Sequence, residues 1–273
     1  MRVPLPLVRG VLQWTARPMF GPQVPVRAQR VFMDAASRAH AAPKQVVVTD
    51  MVLGGRPVRR FAVPGATEAG AVLWAHGGAF ITGSLVSHGA FAGHLAVACG
   101  APVYLLDYRL APEHRHPAAV DDLVAALALV PEPRVVLGGD SAGGNLALLA
   151  APRAERELAG LALVSPVVDL TLASSAAWND PDPLIRTAWA KQGVAAMFGG
   201  RLPEVVDPTV PCVVHVSEQE RLRPEGEALA RRIGAELVVV PEAWHDIHLQ
   251  AGLVRRADEA VADLGRSIRQ LLA

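Results

Sequence analysis

The chain has 273 residues, 51% of them hydrophobic and 19% charged, which is enough apolar surface for a large core without disulfide or metal staples and too much for disorder. Its 26 basic and 26 acidic side chains cancel, so there is no global positive field to neutralise phosphates and nucleic acid is not an expected partner. Cys99 and Cys212 are too few and too far apart for a disulfide framework, and they read as small buried hydrophobes.

In chain order, residues 1–46 carry seven basic side chains (Arg2, Arg9, Arg17, Arg27, Arg30, Arg38, Lys44) against Asp34, a net of +6 balanced by −6 in the remainder. This segment reads as a solvated or lid-like stretch paired with an acidic body. Pro4, Pro6, Arg9 and Gly10 interrupt any signal-like apolar run. No segment reaches the roughly 18 to 20 apolar residues of a bilayer span, so a cytoplasmic protein without a transmembrane span is expected.

Short β-branched runs then recur at 46–53, 58–63, 71–75, 102–107, 134–139, 161–165, 212–217 and 236–240, separated by helical patterns. Several, such as Val72-Leu73-Trp74 and Val135-Val136-Leu137, lack alternation, as strands covered on both faces do. The expected fold class is therefore α/β, a mostly parallel eight-stranded sheet flanked by helices. Pro117 opens one helix; Pro224 opens another, with Gly234 as its stop; the last runs over about 253–271. Stretches 1–42 and 171–207 fit neither pattern. They are expected to form a helical cap on a single domain spanning 1–273.

Two glycine-bearing loops follow strands. After 71–75 comes His76-Gly77-Gly78-Ala79-Phe80, where the missing side chains let backbone N–H groups approach an oxygen; the amides of Gly77 and Gly78 are the expected oxyanion donors, joined by that of Ala142. The His76 side chain is expected to hold this turn together. After 134–139 comes Gly139-Asp140-Ser141-Ala142-Gly143-Gly144-Asn145, leading into an apolar helix. That is the strand–turn–helix context of a nucleophile elbow with Ser141 at its apex. Side chains at positions 139 and 143 would collide with the crossing backbone.

A serine nucleophile needs a base and an orienting acid. His245 and His248 both lie just past the strand 236–240, and Glu218 and Glu220 both follow the strand 212–217. Spacing alone leaves both pairs open. The His245-x-x-His248 pair has no third ligand at a persuasive spacing, so no metal is expected.

Together these motifs resemble the hormone-sensitive-lipase-like family of α/β-hydrolase esterases. The resemblance runs through the His76–Phe80 loop, Asp107-Tyr108-Arg109-Leu110-Ala111-Pro112-Glu113-His114, the Ser141 loop and Ser165-Pro166-Val167-Val168-Asp169-Leu170. It implies an α/β-hydrolase fold with Ser141 as nucleophile and His245 as base. Glu220 falls where the family more often has aspartate. The resemblance also implies an internal ion pair bracing the Arg109–Glu113 loop, and short to medium acyl esters as substrates. Trp178, Trp189 and Phe198 are expected at the substrate entrance. No cofactor is required, the partner is a small-molecule ester, and a homodimer is left open. The rivals are a small-molecule-binding protein that has abandoned catalysis, and an acyltransferase or amide hydrolase using the same parts.

Overall fold

The computed structural model describes residues 2–66, 70–177 and 182–273. Eight strands form one sheet: β1 (Val47–Leu53), β2 (Arg56–Ala62), β3 (Gly70–Ala75), β4 (Val103–Leu106), β5 (Arg134–Asp140), β6 (Gly160–Val164), β7 (Cys212–Ser217) and β8 (Glu236–Val240). Their spatial order is β1-β2-β4-β3-β5-β6-β7-β8. β2 is antiparallel to both neighbours, and every other pair is parallel. All eight expected strands are present. β2 starts two residues earlier than expected, because Gly54 and Gly55 at positive φ close a tight hairpin onto β1.

The helices are α1 (Leu5–Trp14), α2 (Ala16–Met19), α3 (Val26–Ser37), α4 (Gly89–Cys99), α5 (Ala118–Ala128), α6 (Ala142–Ala150), α7 (Ala173–Ala177), α8 (Thr187–Phe198), α9 (Arg223–Ile233) and α10 (Arg255–Leu272). Alternate residues of β3 face opposite sides. Val72 and Trp74 pack with Phe91 and Leu95 of α4 and with Leu264 and Ile268 of α10, whereas Leu73 and Ala75 join Leu123 of α5, Leu146 of α6 and Leu229 of α9. No helix among the described residues is long and apolar enough to cross a membrane.

The basic N-terminal stretch is strapped to the body by side chains. Arg2 pairs with Asp258 at 2.7 Å, Arg9 donates to Gln219 Oε1 at 2.7 Å, and Arg30 binds Glu113 at 2.7 Å while donating to the carbonyls of Ile81 and Ala111. The ion pair expected within the Arg109–Glu113 loop is not made. Arg109 instead forks onto Asp122 of α5, which is buried, and Glu113 goes to Arg30, so partners from outside the loop brace it.

The strand order positions the site. β4 lies on one side of β3 and β5 on the other, so the connections leaving β3 and β5 diverge and open a crevice at their C-terminal ends. Ala75 and Gly139 are register partners at that end. The loops after the two strands, far apart in sequence, therefore meet.

Candidate active site

The chain turns sharply between β5 and α6, with Ser141 at φ 52° and ψ −116°, a conformation L-residues rarely adopt. The turn is held by Ser141 N–H donating to Val164 O at 2.8 Å and Val167 N–H donating to Ser141 O at 3.0 Å, both links to the strand and loop of β6. A Cβ on Gly143 would stand 2.0 Å from Ala75 O, and one on Gly139 would stand 2.4 Å from the Gly143 backbone. Glycine at these two positions lets the helix start pass directly against the end of β3.

Asp140, the residue before the serine, ties the two loops together. Its buried carboxylate accepts from Trp74 Nε1–H at 2.7 Å, from Gly77 N–H at 2.8 Å and from His88 Nε2 at 3.1 Å. Burial pushes this carboxyl up, but His88 and the hydrogen bonds outweigh it and leave Asp140 below the ordinary carboxylate value. The Gly77 amide is consequently spent on Asp140 and is not available to a bound oxygen, which corrects the expectation for that residue. Among the described residues the amides of Gly78, Ala79 and Ala142 donate to no protein acceptor. Ala79, at φ 52°, has a free amide that sequence reasoning did not consider; the residue type carries no signal, and only the commitment of Gly77 draws attention to it. His76 stacks on Tyr108 with ring centroids 4.3 Å apart, and Tyr108 Oη–H donates to His76 O at 2.7 Å. Burial pushes its imidazole down to about 3, so it is a neutral spacer in the turn.

Opposite the serine, the loops after β7 and β8 are stitched by Glu218 N–H to Val240 O at 2.9 Å and Gln219 N–H to Ala243 O at 2.8 Å. This brings Glu220 beneath His245. Glu220 Oε1 accepts from Ser217 N–H at 2.9 Å, and its Oε2 lies 2.9 Å from His245 Nδ1. His245 Nε2 lies 3.0 Å from Ser141 Oγ. Ser141, His245 and Glu220 are all buried. Glu218 is exposed and accepts from Glu242 N–H at 2.7 Å, while His248 faces His215 at 3.2 Å. Burial pushes His248 down to about 4. Asp246, which sequence reasoning did not single out, places Oδ2 3.0 Å from His245 Nε2.

Ser141 and His245 line an apolar cavity of about 400 Å³. Its walls include Leu7, Val11 and Leu12 of α1, Phe32 and Met33 of α3, and Ile185 and Trp189 on and just before α8. Trp189 Nε1–H donates to the buried Gln29 at 2.7 Å and its ring lies 4.8 Å from Phe20, which joins α8 to the N-terminal helices. Phe198 does not line this cavity. Its side chain packs edge-on against Phe80 and beside His116, turning it toward a separate hollow with Arg201 and Leu202. Trp178 lies outside the described residues.

A strained serine turn at the crevice of a doubly covered parallel sheet, with a histidine at its hydroxyl and a carboxylate behind the histidine, defines an α/β-hydrolase. Comparison with known proteins agrees. The sequence pattern of the α/β-hydrolase fold family matches residues 72–249. The chain is 30% identical to the esterase LipU of Mycobacterium tuberculosis over 89% of this chain and 91% of that one. It is 29% identical to an ethyl acetate hydrolase of Pseudomonas putida over 90% of each. A hormone-sensitive lipase from a metagenome library superposes with a TM-score of 0.90 at 30% identity, covering 100% of both chains. The chain belongs to the hormone-sensitive-lipase family of α/β-hydrolase esterases, and it is a carboxylic ester hydrolase.

Proposed function

We propose that the protein hydrolyses short to medium acyl esters through a Ser141–His245–Glu220 triad. Ser141 Oγ attacks the ester carbonyl. His245 Nε2 takes its proton and later returns it to the leaving alcohol, and Glu220 holds Nδ1–H so that the reactive tautomer faces the serine. The tetrahedral oxyanion is bound by the amides of Gly78, Ala79 and Ala142. The stretches 1–42 and 171–207 act as a cap, and Trp189 on the cavity wall contacts the acyl group. The observation that carries this reading is the hydrogen-bonded relay of 3.0 Å from serine to histidine and 2.9 Å from histidine to glutamate.

The test is a panel of p-nitrophenyl esters of increasing acyl length, assayed with wild type and Ser141→Ala. The expected result is turnover of the shorter esters by wild type and a loss of at least about 10⁴-fold in the variant. Stoichiometric labelling of Ser141 by a fluorophosphonate is expected alongside. A variant as active as wild type, or a wild type that binds the esters without turning them over or being labelled, overturns the proposal.

A further inference from the structure

Asp246 follows His245 directly and is buried in the same cavity wall. Its Oδ2 stands 3.0 Å from His245 Nε2, the nitrogen that Ser141 Oγ also reaches at 3.0 Å. Its other oxygen, Oδ1, is buried and has no hydrogen-bond partner among the described residues. An imidazole nitrogen either carries a proton and donates, or presents one lone pair and accepts. With Nδ1–H directed at Glu220, Nε2 accepts the serine proton only while it is bare. An ionised carboxylate 3.0 Å from Nε2 favours the protonated imidazolium over the bare lone pair. In that form Nε2 has no orbital free to receive the serine proton.

We infer that Asp246 is a further catalytic residue whose carboxylate at Nε2 holds His245 as imidazolium, so that the esterase becomes competent only when that proton is released to solvent. The inference rests on the proposed Ser141–His245–Glu220 reading. It adds to that reading a second carboxylate at the reacting nitrogen, which no triad requires.

The surroundings favour retention of the proton. The ionisable groups facing this pair are Glu220 from the loop after β7, Asp140 at the end of β5, and Asp182 ahead of α8, which acts on His245. Burial pushes Asp246 up to about 7 against the pull of His245, and the charges of Asp140 and Glu220 add to the rise. Burial alone would push His245 down, but Asp246 and then Glu220 outweigh it and hold the imidazolium well above its ordinary value. Removing the Asp246 carboxylate removes the strongest group favouring the imidazolium. The free base then persists to lower pH.

Asp246 sits at φ 53° and ψ 39°, a left-handed conformation that asparagine and glycine tolerate, so Asp246→Asn and Asp246→Gly suit the backbone. The experiment is kcat/KM for p-nitrophenyl butyrate from about pH 5 to about pH 9, with wild type, both variants and Ser141→Ala, each checked by thermal melting. The acid limb of both Asp246 variants is expected to move down by about one pH unit or more. That corresponds to a gain of about 10-fold at a pH below the wild-type limb, converging with wild type on the alkaline plateau. An unmoved acid limb in folded variants, or a uniform loss at every pH, overturns the inference. Activity retained by Ser141→Ala would instead overturn the triad reading beneath it.

Discussion

Replacing Asp140 by asparagine exchanges one carboxylate oxygen for an NH₂ group and tests how the loops after β3 and β5 are joined. The carboxylate receives three donors on two oxygens: Trp74 Nε1–H on Oδ1, and Gly77 N–H with His88 Nε2 on Oδ2. An asparagine offers one oxygen. Whichever way its amide is turned, an NH₂ group confronts either the indole N–H or the Gly77 amide and His88, at sites with no water access. Losing charge-assisted hydrogen bonds costs about 1.5–3 kcal/mol each, and breaking a buried ionic cluster by removing one partner costs about 3–5 kcal/mol in all. For a chain of this size that corresponds to a fall of roughly 10 °C in Tm. The Gly77 turn also carries the neighbouring Gly78 amide, so a displacement approaching 1 Å there should lower kcat about 10²-fold. The assays are thermal unfolding by circular dichroism at neutral pH and kcat on a short-chain ester. If Asp140→Asn melts within about 2 °C of wild type and keeps its kcat, the carboxylate is not the clamp described, and the position of the Gly78 amide must have another origin.

The two candidate acids separate by mutation. Glu220→Gln should reduce kcat by about 10³- to 10⁴-fold by losing control of the His245 tautomer, whereas Glu218→Gln, on the exposed side of the loop, should stay within about 2-fold of wild type, since surface changes of this kind are nearly neutral; equal losses in steady-state kinetics would refute the assignment. Gly193→Ala places a methyl carbon 1.9 Å from Ala79 O, and α8 and the His76–Phe80 loop must separate. We expect kcat/KM to fall about 10²-fold with about 1–3 kcal/mol of destabilisation, measured by kinetics and urea titration, and an unaffected enzyme would show that Ala79 has no positional role. Burial pushes His76 down to about 3 and His248 down to about 4, and it pushes His215 well below its usual value with help from His248. The unfolded chain therefore binds protons the native state refuses, and stability present above about pH 6.5 should drain away toward pH 4 at up to about 1.4 kcal/mol per pH unit for each histidine. A Tm that stays flat across that window would contradict this account.

The strands were legible in the sequence because a buried parallel strand needs a continuous apolar run and its ends need glycine, proline or polar residues, all local properties. The Ser141 turn and the His76-Gly77-Gly78 loop were legible for a similar reason: a backbone crossing that excludes a Cβ leaves glycines at fixed offsets, as the contacts at Gly139 and Gly143 show. Helix α4 left no such trace. Its outward face, which carries Ala90 and Val97, is nearly as apolar as the face packed between the sheet and α10, so its apolar residues lack a stripe.

What tertiary structure alone decided is which of several chemically equal residues meet. Glu218 and Glu220 differ by two positions and His245 and His248 by three, and only the stitching of the loops after β7 and β8 directs Glu220 and His245 toward each other. The sequence pointed to Gly77 and Gly78 as donors, and the neighbouring amide of Ala79 came into view only when the Asp140 carboxylate claimed that of Gly77. The partners of Arg109 and Glu113 are groups whose meeting depends on how separate elements pack. Sequence records what each segment needs from its own backbone. The pairing of side chains across a crevice is set by strand order and packing, which act between segments and leave no local pattern in either.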